Sequence, residues 1–153
     1  MKQGFVKVAS ATPRIRVADP VYNAQVICEQ AKEAAEHGAK IVVFPELCIT
    51  GYTCNDLFLQ ELLLEKAKEA LLTIAEETGQ LETLFLVGLP VDKDGRLYNV
   101  AAVLYRGRIL GMIPKKNIPM YAEFYEGRHF KSGRDLDEYI TCLLYTSDAA
   151  DEL

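Results

Sequence analysis

Residues 40–46 have the sequence Lys-Ile-Val-Val-Phe-Pro-Glu, and this stretch decides the fold class. Its apolar residues show no alternation with polar ones, which is typical of a strand covered on both faces in a parallel or mixed sheet. Pro45 ends the strand, and Glu46 follows directly. Ligands of open α/β sheets bind at the carboxyl ends of the strands, so the pattern places a carboxylate at the functional edge of an α/β domain.

One helix is predicted before this strand in the sequence and another after it. Asp19-Pro20 combines a capping side chain with a proline that suits the first helical turn, and Gly38 ends the helix that follows. A second helix is predicted with Asn55 or Asp56 as its cap, and Thr78-Gly79 closes it. The apolar stripes of both helices are expected to face the same sheet.

Further strands give the element order βαβαβββ. Pro90 is expected to stop the third strand, Asp92 to Gly95 forms a turn, and Arg106-Gly107 joins the last two strands in a hairpin. The additional strands are predicted over residues 5–10, 84–89, 98–105 and 108–113. The segment from Pro114 to Gly133 mixes aromatic, charged and glycine residues, which favours a functional loop.

The composition is that of an ordinary globular domain. The chain has 153 residues, 50% hydrophobic and 25% charged, which excludes collagen-like, disordered and small disulfide-stabilised classes. A net charge of −5 and a pI near 5.1, with no Lys/Arg cluster beyond a pair, argue against nucleic-acid and membrane partners. No signal peptide or membrane span is visible, so we expect a cytoplasmic protein that binds a small molecule.

The cysteines and histidines do not indicate a metal site. Cys28, Cys48, Cys54 and Cys142 lack CxxC spacing and a nearby histidine pair, so we expect free thiols and no metal. The chain also has no glycine-rich phosphate-binding motif, and no cofactor is expected within it.

Glu46 and Lys115 are the residues most suited to chemistry. Each follows a predicted strand through a proline, Pro45 or Pro114, so the two side chains are expected at one edge of the sheet. Apolar neighbours should partly desolvate Glu46, which then needs a cation. The alternatives are a solvated loop glutamate and a surface pair of Lys115 with Lys116.

A glutamate base, an ammonium donor and a thiol together suit attack on an amide carbonyl. The thiol is the missing part of this set. Cys28 is best interpreted as a core residue, Cys48 and Cys54 are weak candidates near Glu46, and Cys142 lies in an unusual tail.

Two stretches carry a family resemblance: IVVFPELCITGYTCNDLF, residues 41–58, and IPKKNIPMYAEFYEGRHF, residues 113–130. They resemble the carbon–nitrogen hydrolase (nitrilase) superfamily, whose signature is a Glu-Lys-Cys triad and whose fold is a four-layer α-β-β-α sandwich. The resemblance implies that Glu46 is the general base, Lys115 the catalytic lysine and Glu126 a second, supporting glutamate. It also implies that Tyr121 lines a glutamine pocket.

Within the superfamily, the GYTC string and the aromatic loop are most similar to glutaminase domains that supply ammonia for ATP-dependent NAD synthesis. This implies glutamine as substrate, ATP and Mg²⁺ in a separate synthetase domain, and a homo-oligomeric full-length parent. The alternatives are another amidase that acts on a small free amide, and a non-catalytic binding module.

The chain departs from the family pattern at the nucleophile. The family cysteine lies in a segment resembling EICED, and these 153 residues contain no such segment. The tail CLLYTSDAADEL, residues 142–153, resembles translated adapter sequence, so residues 1–141 are interpreted as the N-terminal part of the domain. We therefore expect a fragment without glutaminase activity, a tail that does not pack in the core, and an exposed apolar sheet face.

Overall fold

The computed structural model describes residues 4–136, and its element order is the predicted βαβαβββ. The strands are β1 (Val8–Ser10), β2 (Ile41–Val43), β3 (Leu84–Lys93), β4 (Arg96–Tyr105) and β5 (Arg108–Pro114). The helices are α1 (Pro20–Glu36) and α2 (Glu61–Glu77), with short 3-10 helices at Asn55–Leu59, Glu126–Arg128 and Gly133–Asp135. The prediction for the tail, residues 142–153, lies outside the described residues.

The five strands form one mixed sheet in the order β1-β2-β3-β4-β5. Strands β1, β2 and β3 are parallel, and β3, β4 and β5 are joined by antiparallel pairing. The predicted turn at Asp92 to Gly95 and the predicted hairpin at Arg106-Gly107 both join antiparallel strands, with positive φ at their two central residues, 55° and 73° at Asp94-Gly95 and 48° and 75° at Arg106-Gly107. Such turns match the right-handed twist of the paired strands. Strand β5 consequently runs in the same direction as β2.

Both helices pack on one face of the sheet. The side chain of Asp19 caps α1 by accepting a hydrogen bond from the Tyr22 amide at 3.1 Å, with Pro20 in the first turn as predicted. The helices contribute fully or nearly fully buried residues, and the strands oppose them with alternate apolar side chains. This helix-side core includes Ala24, Ile27, Ala31, Leu71, Ile74, Val42, Phe85, Val87, Leu89, Val100, Ala102 and Leu104.

The second helix begins later than predicted. Asn55 and Asp56 do not cap α2 but open a separate 3-10 helix, and Gln60 in an extended conformation precedes α2. Packing explains the interruption: Phe58 is buried in a second cluster with Leu47 and Phe130, away from the helix-side core. The apolar spacing across 57–74 therefore belongs to two elements, and α2 contributes to both clusters, Leu63 to the second and Leu71 and Ile74 to the helix-side core.

Pro90 does not stop β3, which continues to Lys93. Pro90 pairs with Asn99 of β4, but β3 pairs with β2 only over Leu84 to Leu86. The carbonyls of Leu86 and Gly88 point away from β4, toward Phe44 and Ile49. The nitrogen of Pro90 points to that same side, so its missing N–H removes no bond to β4.

The sheet face opposite the helices is apolar and largely uncovered within residues 4–136. Val8, Val43 and Ile113 on this face are 64%, 44% and 55% exposed. Strand β2, predicted to be covered on both faces, is thus covered on one in the described part of the chain. Neither α1 nor α2, the longer helices described, is long and apolar enough to cross a membrane.

Candidate active site

Glu46 and Lys115 meet although their strands are not neighbours. Strands β2 and β5 have their carboxyl ends at the same edge, but β3 and β4 lie between them. Three strand spacings correspond to about 14 Å, which the two side chains alone do not bridge. The loop after β2 closes this distance by crossing the face of β3 that is turned away from the helices.

Gly88 of β3 permits this crossing. A Cβ atom at this position would lie 2.4 Å from the Leu47 nitrogen and 2.8 Å from the Pro45 oxygen. The Gly88 carbonyl accepts a hydrogen bond from the Ile49 amide at 3.1 Å, which fixes the loop on the strand. Leu47, fully buried, has φ of 53°, a conformation that favours glycine and is sustained here by its packing.

The ammonium group of Lys115 lies between two carboxylates. Its Nζ is 2.7 Å from Glu46 Oε1, and 2.9 and 3.0 Å from the two oxygens of Glu126. The side chains of Glu46, Lys115 and Glu126 are 42%, 29% and 6% exposed. The structure therefore brings together three of the residues selected from sequence, and the surface-pair alternative for Lys115 is wrong.

These contacts determine the charge of the lysine. Partial burial lowers the pKa of Lys115, but its hydrogen bonds to Glu46 and Glu126 together raise it by more, so the pKa lies above its ordinary value. Lys115 is thus a stable hydrogen-bond donor at neutral pH. The stability contributed by this shift is present below the pKa of the unfolded lysine and is lost as pH rises through the folded pKa.

Two further residues belong to the cluster and were not selected from sequence. The hydroxyl of Tyr52 donates to Glu126 Oε1 at 2.7 Å, and the side-chain amide of Asn99 donates to Glu46 Oε1. Burial and the bond to Glu126 raise the pKa of Tyr52, so its proton stays in place. Tyr52 follows Glu46 closely in the GYTC string, but the position of Asn99 required knowledge of the β3–β4 register.

A cavity of about 320 Å³ opens beside Glu126. Tyr52, Phe58 and Tyr125 line it together with Asp56, which bonds Arg128 Nη2 and His129 Nε2 at 3.0 Å each. Predicted pocket residue Tyr121 does not line this cavity; it is 69% exposed and packs on Phe124 with ring centroids 5.7 Å apart. Its role stays a prediction.

The cysteines of the described residues are buried and unsuited to attack. Burial raises the pKa of Cys28 and of Cys48 to about 11, and it also raises that of Cys54. Cys48 donates to the Gly88 carbonyl at 3.7 Å and Cys54 to the Thr50 carbonyl at 3.2 Å. Cys142 lies outside the described residues. Cys28, Cys48 and Cys54 therefore have the properties of structural thiols.

Comparison with known proteins agrees with this geometry. The family model described as carbon-nitrogen hydrolase matches residues 7–144. The chain belongs to the carbon-nitrogen hydrolase family. That match covers Glu46, Lys115 and Glu126 alike.

Several relatives are glutamine-dependent NAD(+) synthetases. The one from Mycobacterium tuberculosis H37Rv is 39% identical over 132 residues, 86% of this chain and 19% of the relative. The one from Thermotoga maritima is 35% identical over 136 residues, 89% of this chain and 23% of the relative. The chain thus spans about a fifth of the length of these relatives.

Solved structures show the same fold. A glutamine-dependent NAD(+) synthetase from Cytophaga hutchinsonii superposes with a TM-score of 0.78 at 30% identity, covering 83% of this chain and 22% of that one. An amidase from Nesterenkonia sp. superposes with a TM-score of 0.68 at 24% identity, covering 84% and 48%. The described residues form one helix layer and one sheet layer of the expected nitrilase-type sandwich.

Replacing Gly88 with alanine should displace the loop that carries Glu46. The added Cβ would collide with backbone atoms, so we expect the free energy of unfolding to fall by about 1–3 kcal/mol in urea titrations. Gly111→Ala is the matched control, because Gly111 also lies in a strand but no atom lies within 4 Å of its added Cβ. Equal effects of both substitutions would contradict the assigned role of Gly88.

The buried thiols should resist modification in the folded chain. Burial raises the pKa of all three thiols, so they stay protonated at pH 8, and it also blocks the reagent. In a Cys142→Ser variant we expect negligible reaction with Ellman's reagent in the native state, and three reactive thiols after unfolding in guanidinium. A rapidly reacting thiol in the native state would make that cysteine a candidate nucleophile.

Proposed function

We propose that this chain is part of a glutamine amidohydrolase domain that supplies ammonia for ATP-dependent NAD synthesis. The observation that carries the proposal is the ammonium of Lys115 held between Glu46 and Glu126 at 2.7–3.0 Å. The relatives named as glutamine-dependent NAD(+) synthetases support glutamine as the amide.

In this mechanism Glu46 is the general base. It removes the proton of a cysteine thiol, and the sulfur forms a bond to the amide carbon of glutamine. The proton then passes to the departing nitrogen, which leaves as ammonia, and a γ-glutamyl thioester remains. Water hydrolyses the thioester with Glu46 as base again, which releases glutamate and restores the thiol. We place this thiol outside residues 4–136, because the described cysteines are buried and protonated.

Lys115 supports the negative charge that develops on the carbonyl oxygen. Nζ lies at nearly equal distances from both oxygens of Glu126, 2.9 and 3.0 Å, a geometry in which one N–H is shared between them. A second N–H points to Glu46 Oε1, which leaves the third for the oxyanion. Glu126, held by Tyr52, keeps the ammonium in place, and Tyr121 is proposed to line the substrate pocket.

The wider setting is also part of the proposal. ATP and Mg²⁺ would bind a separate synthetase domain, and the whole protein would be a cytoplasmic homo-oligomer. The described residues contain no group of three metal-ligating side chains. The partner would be a small amide substrate, and the net charge of −5 argues against a nucleic acid or a membrane.

Ammonia release from glutamine tests the proposal in the longer protein obtained by reading the genomic locus onward from residue 141. Glu46→Gln and Lys115→Met should each reduce kcat by about 10³-fold or more, because members of such a catalytic unit act together. Glu82→Gln, on the exposed surface in a pair with Arg106, is the control. Hydrolysis of small aliphatic amides without hydrolysis of glutamine would favour the other amidase function.

The 153-residue chain itself should release no ammonia above background. It presents a base and an ammonium but no reactive thiol among its described residues. We would measure glutamate formation from glutamine with the purified chain, together with Cys48→Ala and Cys54→Ala. Turnover that either substitution abolishes would show that the nucleophile lies in the loop after β2 and that our assignment is wrong.

A further inference from the structure

Asn99 is a buried polar residue in an otherwise largely apolar strand. Asn99 is 4% exposed and lies on the face of β4 that is turned away from the helices, and it pairs with Pro90 of β3. Its side-chain amide donates to Glu46 Oε1, and its main-chain carbonyl accepts from the Lys115 amide at 2.7 Å. One residue of the rigid sheet thus fixes both the carboxylate of Glu46 and the backbone of Lys115.

The two oxygens of Glu46 are consequently unequal. Oε1 accepts hydrogen bonds from Asn99 Nδ2 and from Lys115 Nζ. Oε2 has no hydrogen-bond donor among the described residues, and the side chain is 42% exposed. An oxygen with two donors is a poor site for a further proton, whereas the free oxygen can accept one without losing a bond.

We propose that Asn99 is a positioning residue that holds Glu46 Oε1, so that Oε2 is the oxygen that takes up the proton during amide hydrolysis. The inference rests on the proposed function for the reaction itself, but the positioning stands on the contacts alone. Asn99 acts through Glu46 and not on the substrate.

The chemistry of an amide suits this position. Other charged and titratable groups of the cluster are Lys115, Glu126 and Tyr52. An asparagine donates a hydrogen bond without adding a charge, so it orients Glu46 without competing with Lys115 for the two carboxylates. An aspartate there would repel Glu46, and a leucine would leave Oε1 with Lys115 as its one donor.

Carbon-13 NMR of the chain labelled at the glutamate carboxyl groups tests the positioning directly. The Glu46 signal is assigned by its loss in Glu46→Gln, and its chemical shift at pH 8 is compared between the wild type and Asn99→Leu. Asn99→Leu removes one of the two hydrogen bonds to Oε1, so the signal should move away from its wild-type position. Asn99→Asp, which keeps the shape of the side chain but removes the amide donor, should move it as well.

Thr83→Val is the matched control, because Thr83 is 2% exposed and its hydroxyl donates to the Ala39 carbonyl at 2.8 Å, away from Glu46. This variant should lose stability while its Glu46 signal stays at the wild-type position. An unchanged Glu46 signal in Asn99→Asp, or in a folded Asn99→Leu, would overturn the proposal.

The measurement separates this inference from the proposed function. It requires no turnover, so a displaced Glu46 signal supports the positioning even if the longer protein does not hydrolyse glutamine. Conversely, glutaminase activity in the longer protein together with an unchanged Glu46 signal would retain the function and reject the role of Asn99.

Discussion

The site depends on one constraint: a single ammonium group bridges two carboxylates from segments far apart in the chain. Lys115 joins the loop after β2 to the 3-10 helix that begins at Glu126, which itself is 7% exposed. A carboxylate so buried requires a bonded partner, because an uncompensated charge would cost several kcal/mol. Lys115 and the hydroxyl of Tyr52 supply those bonds. These bonds connect the loop after β2 to the segment that follows β5.

The sheet supplies a rigid support for these loops. Gly88 leaves room for the loop after β2 to lie on β3. On the neighbouring strand β4, the side chain of Asn99 donates a hydrogen bond to Glu46 of that loop. Below them, Leu47, Phe58 and Phe130 form the second apolar cluster with Leu97 of β4. The charged groups are thus supported by close backbone packing at Gly88 and by the second apolar cluster. Precise placement of a base needs such support.

Much of this arrangement could be predicted from the sequence, and the exceptions have physical reasons. Apolar runs and turn residues predicted the element order, and strand ends followed by proline predicted that Glu46 and Lys115 meet. The break at Gln60 was missed because the apolar spacing on either side of it continues one helical pattern. Asn99 was missed because its partner is set by the pairing register of β3 with β4, which pattern alone does not specify.

The uncovered apolar face of the sheet and the site that lacks a reactive thiol lie on the same side of the described residues. Asn99, Ala101 and Val103 alternate along the same face of β4, so the base of the site and the apolar surface that lacks a covering layer are continuous. The proposed mechanism needs a thiol within reach of Glu46, whose carboxylate meets Asn99 on this side. A second layer packed on this face, as in a four-layer sandwich, would bury the apolar side chains and could bring the nucleophile in one step. Completion of the core and completion of the active site would then be the same folding event.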